Sequence, residues 1–235
     1  VETWDPSADA PVPLSADGLA VSIDGAWMPG TFTVENAAAR GEQIALGVVV
    51  ADDDHIAALR AAIDEGLGAL GAMSRAIDPK WIRRDTVTGA LEAIIELDSS
   101  LPPRRHVVVI SDGHRAGLGD AKAMSEAVDL AYTTRTRVEL IGIEIEPSAL
   151  TPLEEVTLKT GGRVRRLPAA DAARRLPTAI ATLGRELASR WVITFALDEY
   201  RGSSQPIGSE LSARAPDGRF GRAAIEGIKI PLVCD

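Results

Sequence analysis

The sequence predicts an α/β fold built on a mostly parallel sheet. Three strongly apolar runs support this prediction, at residues 44–50, 106–110 and 138–145. Apolar runs without regular polar alternation are typical of strands that are buried on both faces. Helical patterns separate the runs, and this alternation indicates parallel strands that are joined by right-handed crossovers.

Helical patterns follow each of these runs. Leucine and isoleucine recur between residues 59 and 70 at spacings of three and four, which predicts a helix over 56–74. Residues 75–84 contain a proline and few apolar positions, so they are predicted to be a connection. The further predicted helices cover 88–98, 120–133, a short stretch from Pro152 to Lys159, and 171–189.

Charge and cysteine content narrow the class of protein. The formal net charge is −9, and an acidic chain is a poor match for nucleic acid, which favours a basic surface. The single cysteine, Cys234, excludes an intrachain disulfide, which fits either a reducing compartment or a cysteine-poor exported protein.

No apolar run approaches the ~18 residues of a membrane span, so the chain is predicted not to be transmembrane. It begins at Val1, which leaves a removed signal peptide open.

Acidic side chains follow two of the predicted core strands at the point where each strand ends. An acidic triplet occupies 52–54, and Asp112 follows the second apolar run. In open α/β sheets, ligands bind outside the carboxyl ends of the strands, and Asp85 or Thr86 precedes the second helix near the same predicted edge. Clustered carboxylates need a counter-charge, and Mg²⁺ or Ca²⁺ binds oxygen ligands of this kind. The alternative is that the aspartates after the strands cap the helices that follow them.

Three segments resemble von Willebrand factor A domains in their order and spacing. Residues 107–113 (VVVISDG) resemble the strand end that carries Thr-Asp-Gly in this family, and residues 138–143 (VELIGI) resemble the next strand. Residues 153–162 (LEEVTLKTGG) are similar to the short helix that leads into a Thr-Gly-Gly segment. The resemblance covers about residues 43 to 187. It implies a doubly wound, Rossmann-like α/β domain that binds other proteins and is not an enzyme.

In this family the strand ends form a metal-ion-dependent adhesion site. The site uses Asp-x-Ser-x-Ser, a loop threonine and the aspartate of Thr-Asp-Gly. Asp54 stands where the first serine belongs and Ile56 where the second belongs, so the motif is degraded, because isoleucine cannot ligate a metal. The position of the family's loop threonine falls on Asp85 or Thr86. The metal ligands that the resemblance implies, for Mg²⁺ or Ca²⁺, are therefore Asp52, Asp54, Asp112, Thr86 and Asp85.

The flanks extend the resemblance to bacterial members of the family. Residues 14–25 resemble a hairpin that leads into the first core strand, and residues 186–195 resemble the strand after the last helix. These relatives tend to be exported, so a secreted, periplasmic or cell-surface location is expected. The implied parts are an extended arm at 1–13, a β-hairpin segment at 14–42, the α/β domain at 43–187, and a C-terminal β segment at 188–235 that pairs with the hairpin into a small β module.

One departure concerns the segment between the first and second helices. Family members usually place a β-hairpin there, whereas this chain has only residues 74–85 for it. The hairpin is therefore either missing or reduced to an edge segment.

Other functions stay open beside a protein-binding or adhesion module. A metal-free structural or scaffolding domain, in an envelope or secreted assembly, would use none of the cation ligands. The arginines of 163–166 would then be a partner patch or a solvated strand face. A receiver-like phosphoacceptor domain would use the acidic cluster, but no lysine ends the run at 138–145. A hydrolase would use His55 or His114 beside an acidic strand end, but the sequence has no nucleophile elbow and no His-x-x-x-His spacing.

Overall fold

The chain alternates strands and helices through its middle and forms mainly strands towards both ends. The computed structural model describes residues 4–5, 10–11, 14–23, 26–28, 30–36, 44–50, 54–72, 77–84, 86–96, 104–113, 121–188, 191–197, 207–214 and 220–228. The strands, in chain order, are β1 (Trp4–Asp5), β2 (Ala10–Pro11), β3 (Leu19–Ile23), β4 (Ala26–Met28), β5 (Gly30–Asn36), β6 (Ile44–Val50), β7 (Ile77–Arg84), β8 (Arg104–Ser111), β9 (Thr136–Glu144), β10 (Val164–Pro168), β11 (Trp191–Leu197), β12 (Ile207–Arg214) and β13 (Phe220–Ile228). The α-helices are α1 (Asp54–Ala58), α2 (Arg60–Ala72), α3 (Val87–Glu96), α4 (Ala121–Thr134), α5 (Thr151–Lys159) and α6 (Ala172–Ala188).

A parallel sheet lies at the centre of the α/β part. Its strand order is β10-β9-β8-β6-β7, and every pairing in it is parallel. β6 and β8 pair in register, with Val50 opposite Ile110. The strands therefore all start at one edge of the sheet, the amino edge, and all end at the other, the carboxyl edge. The predicted α/β fold class is confirmed.

Side chains of the central strands alternate between two apolar cores. Helices α3, α4 and α5 cover one face, where they pack against strand residues such as Val49 and Val107. Helices α1, α2 and α6 cover the other face, against residues such as Val48 and Val108. A strand that is buried on both faces needs no polar alternation, which accounts for the apolar runs in the sequence. The sheet is doubly wound, as predicted.

A topological switch lies between β6 and β8. These strands are neighbours in the sheet, yet α1 follows β6 on one face and α4 follows β8 on the other. Connections that leave neighbouring strands in opposite directions open a crevice at the carboxyl edge, where ligands bind in folds of this kind. In this sheet the switch point falls beside Val50 and Ile110.

One edge of the sheet is formed by β7, where the sequence predicts a connection. This prediction is wrong, because β7 pairs with β6 in parallel, with a register shift between Ala45 and Gly47. Pro79 and the scarcity of apolar residues conceal the strand in the sequence, but an edge strand tolerates proline because one side of it has no ladder partner. In the described part of the chain between α2 and α3, the hairpin that the resemblance implies is reduced to this single edge strand.

Strands from both ends of the chain form a separate antiparallel unit. The chain divides into this unit, Val1–Arg40 with Ser189–Asp235, and the α/β unit, Gly41–Ala188. β5 pairs with β11, and β12 lies between β3 and β13, so N-terminal and C-terminal strands share both sheets. β3 also pairs antiparallel with β4, as expected for the hairpin around 24–25. The small added β module of the predicted fold class is confirmed.

Two local features go beyond the sequence predictions. Within the predicted arm at 1–13, β1 pairs with β2 in antiparallel fashion, with Trp4 opposite Pro11. The helix that is predicted over 56–74 divides at Leu59, whose N–H donates to the Ile56 carbonyl at 3.0 Å. Very short ladders and single tight turns produce no periodic pattern, so periodicity could not reveal either feature.

The Thr160-Gly161-Gly162 segment ends α5 and leads into β10. The N–H of Gly162 donates to the Thr157 carbonyl at 2.9 Å, as in a Schellman helix end. Gly161 has a φ of 75°, in the left-handed region that glycine adopts without strain. The Thr160 hydroxyl accepts a hydrogen bond from the Val138 N–H at 3.1 Å and so joins the helix end to β9. The helix end explains the two glycines, and the hydrogen bond to the Val138 N–H explains Thr160.

We expect Gly162→Ala to destabilise the α/β unit. A Cβ atom on Gly162 would lie 1.8 Å from the Val138 carbonyl oxygen, and this backbone cannot move without disturbing β9. The free energy of unfolding should fall by about 3 kcal/mol, measured in urea.

Gly68→Ala is the matched control for this variant. A Cβ on Gly68, in the interior of α2, meets nothing within 4 Å, and alanine stabilises a helix interior by about 1 kcal/mol relative to glycine. A Gly162→Ala protein as stable as the Gly68→Ala protein would contradict this account of the turn.

Candidate functional site

The end of β8 brings Asp112 to the crevice at the carboxyl edge. Ser111 is the last residue of β8, and Asp112 follows it directly. Both residues are buried, and Asp112 is only 1% exposed. Because β6 and β8 are neighbours in register, the sequence-predicted site residue Asp112 lies at the topological switch.

The turn after Asp112 is held by close packing. The Ser111 hydroxyl accepts a hydrogen bond from the Gly113 N–H at 2.9 Å. Gly113 has a φ of 97°, and a Cβ there would lie 2.2 Å from the Ala149 carbonyl oxygen. Only glycine fits this position. The Ser111-Asp112-Gly113 turn can therefore pack closely against the 3-10 turn Pro147–Leu150. The glycine of the Asp-Gly pair therefore has a structural reason.

Thr86 begins α3 as a helix cap. Its hydroxyl accepts a hydrogen bond from the Gly89 N–H at 3.1 Å, and its carbonyl accepts one from the Ala90 N–H at 3.1 Å. This is the bond that an N-cap threonine makes to the third residue of a helix. The capping role of Thr86 is a finding of the structure, since the sequence predicted it only as a loop ligand. The hydrogen bond from Gly89 uses one lone pair of a hydroxyl that can accept two hydrogen bonds and donate one.

The other sequence-predicted site residues are only partly within the described chain. Asp52 and Asp85 lie outside the described residues. Asp54 is the first residue of α1, but its side chain also lies outside them. Ile56, at the second serine position of the adhesion motif, is buried at 1% exposure in the core under α1 and α2. Among the described side chains, no group of three or more His, Cys, Asp or Glu is placed to hold a metal ion.

A buried charge network lies on the other half of the sheet, and the sequence reasoning did not anticipate it. His106 on β8 and Glu139 on β9 are each 2% exposed, with His106 Nδ1 3.1 Å from Glu139 Oε1. The second carboxylate oxygen accepts a hydrogen bond from the Arg163 N–H at 2.8 Å. An ionised carboxylate only accepts hydrogen bonds, so Nδ1 of His106 carries the proton in this pair.

The pKa of Glu139 is set by opposing effects. Burial raises it, whereas the hydrogen bond and charge of His106, followed by the backbone bond and charge of Arg163, lower it. The net result is a pKa below the ordinary value of 4.5. Glu139 therefore stays ionised in the core because its partners replace the water it has lost.

A second buried carboxylate continues the network into α6. Glu186 accepts hydrogen bonds from Arg163, at 2.6 Å, and from Arg165. Arg166 points to the opposite face, where it forms a two-pronged pair with Glu154 at 2.6 and 2.7 Å. Because strand residues alternate between faces, the arginines of 163–166 do not form a single patch.

These charged pairs join strands and a helix away from the carboxyl edge. The Glu139 and Glu186 pairs join the early parts of β8, β9 and β10 to the end of α6. Their position indicates a structural role, and His106 belongs to it. The sequence signal was available, because Glu139 is a charged residue inside the apolar run at 138–145, and a charge that is buried in a strand must be paired.

Comparisons with known proteins leave the family open. No family model matches the sequence, and no curated protein matches it. Solved structures with some likeness include a de novo designed PLOOP2X3_50 fold protein studied by solution NMR. It is 21% identical over 62% of this chain and 94% of its own, with a TM-score of 0.36, so the likeness carries no argument about function. In the described ranges, no helix combines enough length and apolarity to cross a bilayer.

We expect Glu139→Gln to remove an acid-sensitive part of the free energy of unfolding. The pKa of Glu139 in the folded state is below 4.5. Its ionised form therefore stabilises the fold fully above that pH, and the stabilisation is lost as pH falls through the lower folded-state pKa. At neutral pH the variant should be less stable by about 2 kcal/mol, because a hydrogen-bonded buried charge is lost. Below pH 4.5 the difference from wild type should shrink.

Urea unfolding over a series of pH values measures this difference. Glu126→Gln is the matched control, because Glu126 is an exposed α4 residue whose pair with Lys122 lies in water. If both variants lost the same stability with the same pH dependence, the buried pair would not have the role assigned to it.

Proposed function

We propose that this chain is a protein-recognition module that binds its partner at the carboxyl edge of the parallel sheet. The observation that carries the proposal is the buried Asp112 at the switch between β6 and β8. Open α/β sheets bind ligands at this point, whatever their chemistry. The von Willebrand factor A resemblance of residues 107–113 and 153–162 supports recognition over catalysis, but a fold likeness alone does not decide function.

In the adhesion form of this proposal, a cation links the module to its partner. Asp112 and the aspartates of 52–54 supply carboxylate oxygens to Mg²⁺ or Ca²⁺, with Thr86 or Asp85 adding a ligand from the start of α3. An acidic side chain of the partner completes the coordination sphere. Such a domain fits a secreted, periplasmic or cell-surface protein.

Two observations favour a second form without a metal, in which the same edge serves a structural or scaffolding contact. Ile56 contributes to the core and so provides no ligand where the adhesion motif has its second serine. The Thr86 hydroxyl already caps α3. In this form the partner contacts the edge directly, and Asp112 mainly orders the turn beside Gly113.

A thermal melt with and without divalent cation separates the two forms. In the adhesion form we expect Mg²⁺ or Ca²⁺ to raise Tm relative to EDTA, because a ligand that binds only the folded state stabilises it by about 2.7 kcal/mol at a hundredfold excess over Kd. Asp112→Asn should abolish this rise. Asp129→Asn, which removes the same charge from the exposed face of α4, should keep it.

The comparison is made within each variant, so a lower starting Tm of Asp112→Asn does not affect it. A rise that survives in Asp112→Asn would place the cation elsewhere and overturn the adhesion form. If Tm is the same in EDTA and in millimolar cation for wild type, Asp112→Asn and Asp129→Asn, the adhesion form is excluded and the metal-free form remains.

A further inference from the structure

The outer edge of β13 is the longest edge among the described strands of the antiparallel unit. β13 spans nine residues and lies at one end of the strand order β13-β12-β3-β4. In the described part of the chain it pairs with β12 alone, regularly from Phe220 to Ile225, and the register shifts after Ile225. A strand at the end of a sheet presents a row of backbone N–H and C=O groups, which is a template for pairing with another strand.

The residues of this edge are placed symmetrically about Ala224. The segment Arg222-Ala-Ala-Ile-Glu226 has a positive residue two positions before Ala224 and a negative residue two positions after it. In an antiparallel pair of two such strands centred on Ala224, Arg222 of each copy stands opposite Glu226 of the other, and Ala223 stands opposite Ile225. Residues of opposite charge that face each other across a ladder stabilise it. The strand is therefore complementary to a second copy of itself.

The same two charges select one geometry of self-pairing. Parallel pairing in register sets Arg222 against Arg222 and Glu226 against Glu226, and like charges directly opposite each other destabilise a ladder. A shift of the antiparallel register by one residue, in either direction, places both charges opposite uncharged residues. A twofold dimer in the favoured register contains the pair of opposite charges twice, because each copy contributes the same surface.

The other strand edges of the described chain lack one of these properties. β7 and β10 border the parallel sheet and contain Pro79 and Pro168, and proline supplies no N–H to a ladder. β1, β2 and β4 have only two or three residues. β5 carries one charged residue, Glu35, and β11 carries none. Among these edges, β13 alone combines length, freedom from proline and opposite charges in symmetric positions.

We propose that β13 binds a second copy of this chain, edge to edge and antiparallel, with a twofold axis at Ala224. The ladder covers Arg222 to Glu226, and its backbone hydrogen bonds supply the affinity, as in other complexes that extend a sheet by one strand. Arg222 and Glu226 supply the register and the choice of partner. The two four-stranded sheets then form one continuous sheet. Because the contact is small, the dimer is weak and reversible.

The alternative role of the two charges is to protect the edge from pairing, as charged residues on edge strands do in many proteins. Protection needs charge, but it needs neither opposite signs nor equal distances from one central residue. The two roles differ in what charge reversal does. A protective charge works with either sign, whereas a charge that faces its opposite in a second copy does not.

Sedimentation velocity on the full chain tests the proposal at concentrations from about 1 μM to about 1 mM, where a small interface associates. We expect a reversible equilibrium between monomer and dimer, in EDTA as well as in Mg²⁺. Arg222→Glu and Glu226→Arg each set like charges opposite each other at two places in the dimer. Each variant should therefore weaken the Kd of the dimer about tenfold or more.

Mixing the two variants gives the decisive comparison. A heterodimer of Arg222→Glu with Glu226→Arg has opposite charges facing each other at both places, so an equimolar mixture should dimerise at a concentration where each variant alone is monomeric. The double variant that carries both reversals should dimerise as wild type does. Lys122→Glu is the matched control, because it changes the net charge as Arg222→Glu does but at an exposed position of α4, and it should leave Kd unchanged.

Three results would overturn the proposal. They are a monomeric wild-type chain over the whole range, a dimer that Arg222→Glu and Glu226→Arg weaken no more than Lys122→Glu does, and failure of both the mixture and the double variant to dimerise. Asp112→Asn should dimerise as wild type does, because Asp112 and β13 belong to different units of the chain. Loss of the dimer is thereby distinguished from loss of binding at the carboxyl edge.

Discussion

The burial of β6, β8 and β9 on both faces is the constraint on which the rest of the α/β unit depends. Strands such as Ile44–Val50 carry apolar side chains in both directions, so helices must cover both sides of the sheet. The chain meets this need by sending α1 and α2 to one face and α3 to α5 to the other. The switch of direction beside Asp112 is a by-product of that coverage, and it determines the edge at which we propose that a partner binds.

Burial on both faces also limits where charge can stand. Glu139 lies within this apolar frame, and it is stable there as an anion because His106 and the Arg163 N–H surround its oxygens. Glu186 is held in the same way by two arginines. In the described part of the amino half of the sheet, Glu139 and Glu186 are thus both paired within the fold, whereas the residues that the sequence makes candidates for binding lie at the carboxyl edge.

Much of the fold could be predicted because burial leaves a periodic trace in the sequence. The run Ile44–Val50 and the spaced leucines of α2 show it directly. β7 leaves no such trace, since an edge strand that contains Pro79 needs neither an apolar run nor a full ladder. Of the candidate site, the sequence predicted the placement of Asp112 at a strand end and of Thr86 at a helix start, because both positions have local signatures; their role as ligands stays a prediction. The position of Glu139 inside an apolar run signals a paired charge, but its partner His106 lies 33 residues away in the sequence, and no local pattern identifies it.

The division of the chain has a consequence for how the protein is made. The α/β unit, Gly41–Ala188, is inserted between the two halves of the β unit, so Asn36 cannot meet Trp191 until most of the chain exists. The N-terminal strands therefore leave the ribosome before the strands that pair with them. The inserted unit begins at β6 and ends with α6, both at the amino edge of its sheet. The β unit can therefore be completed only after the whole α/β unit has been synthesised.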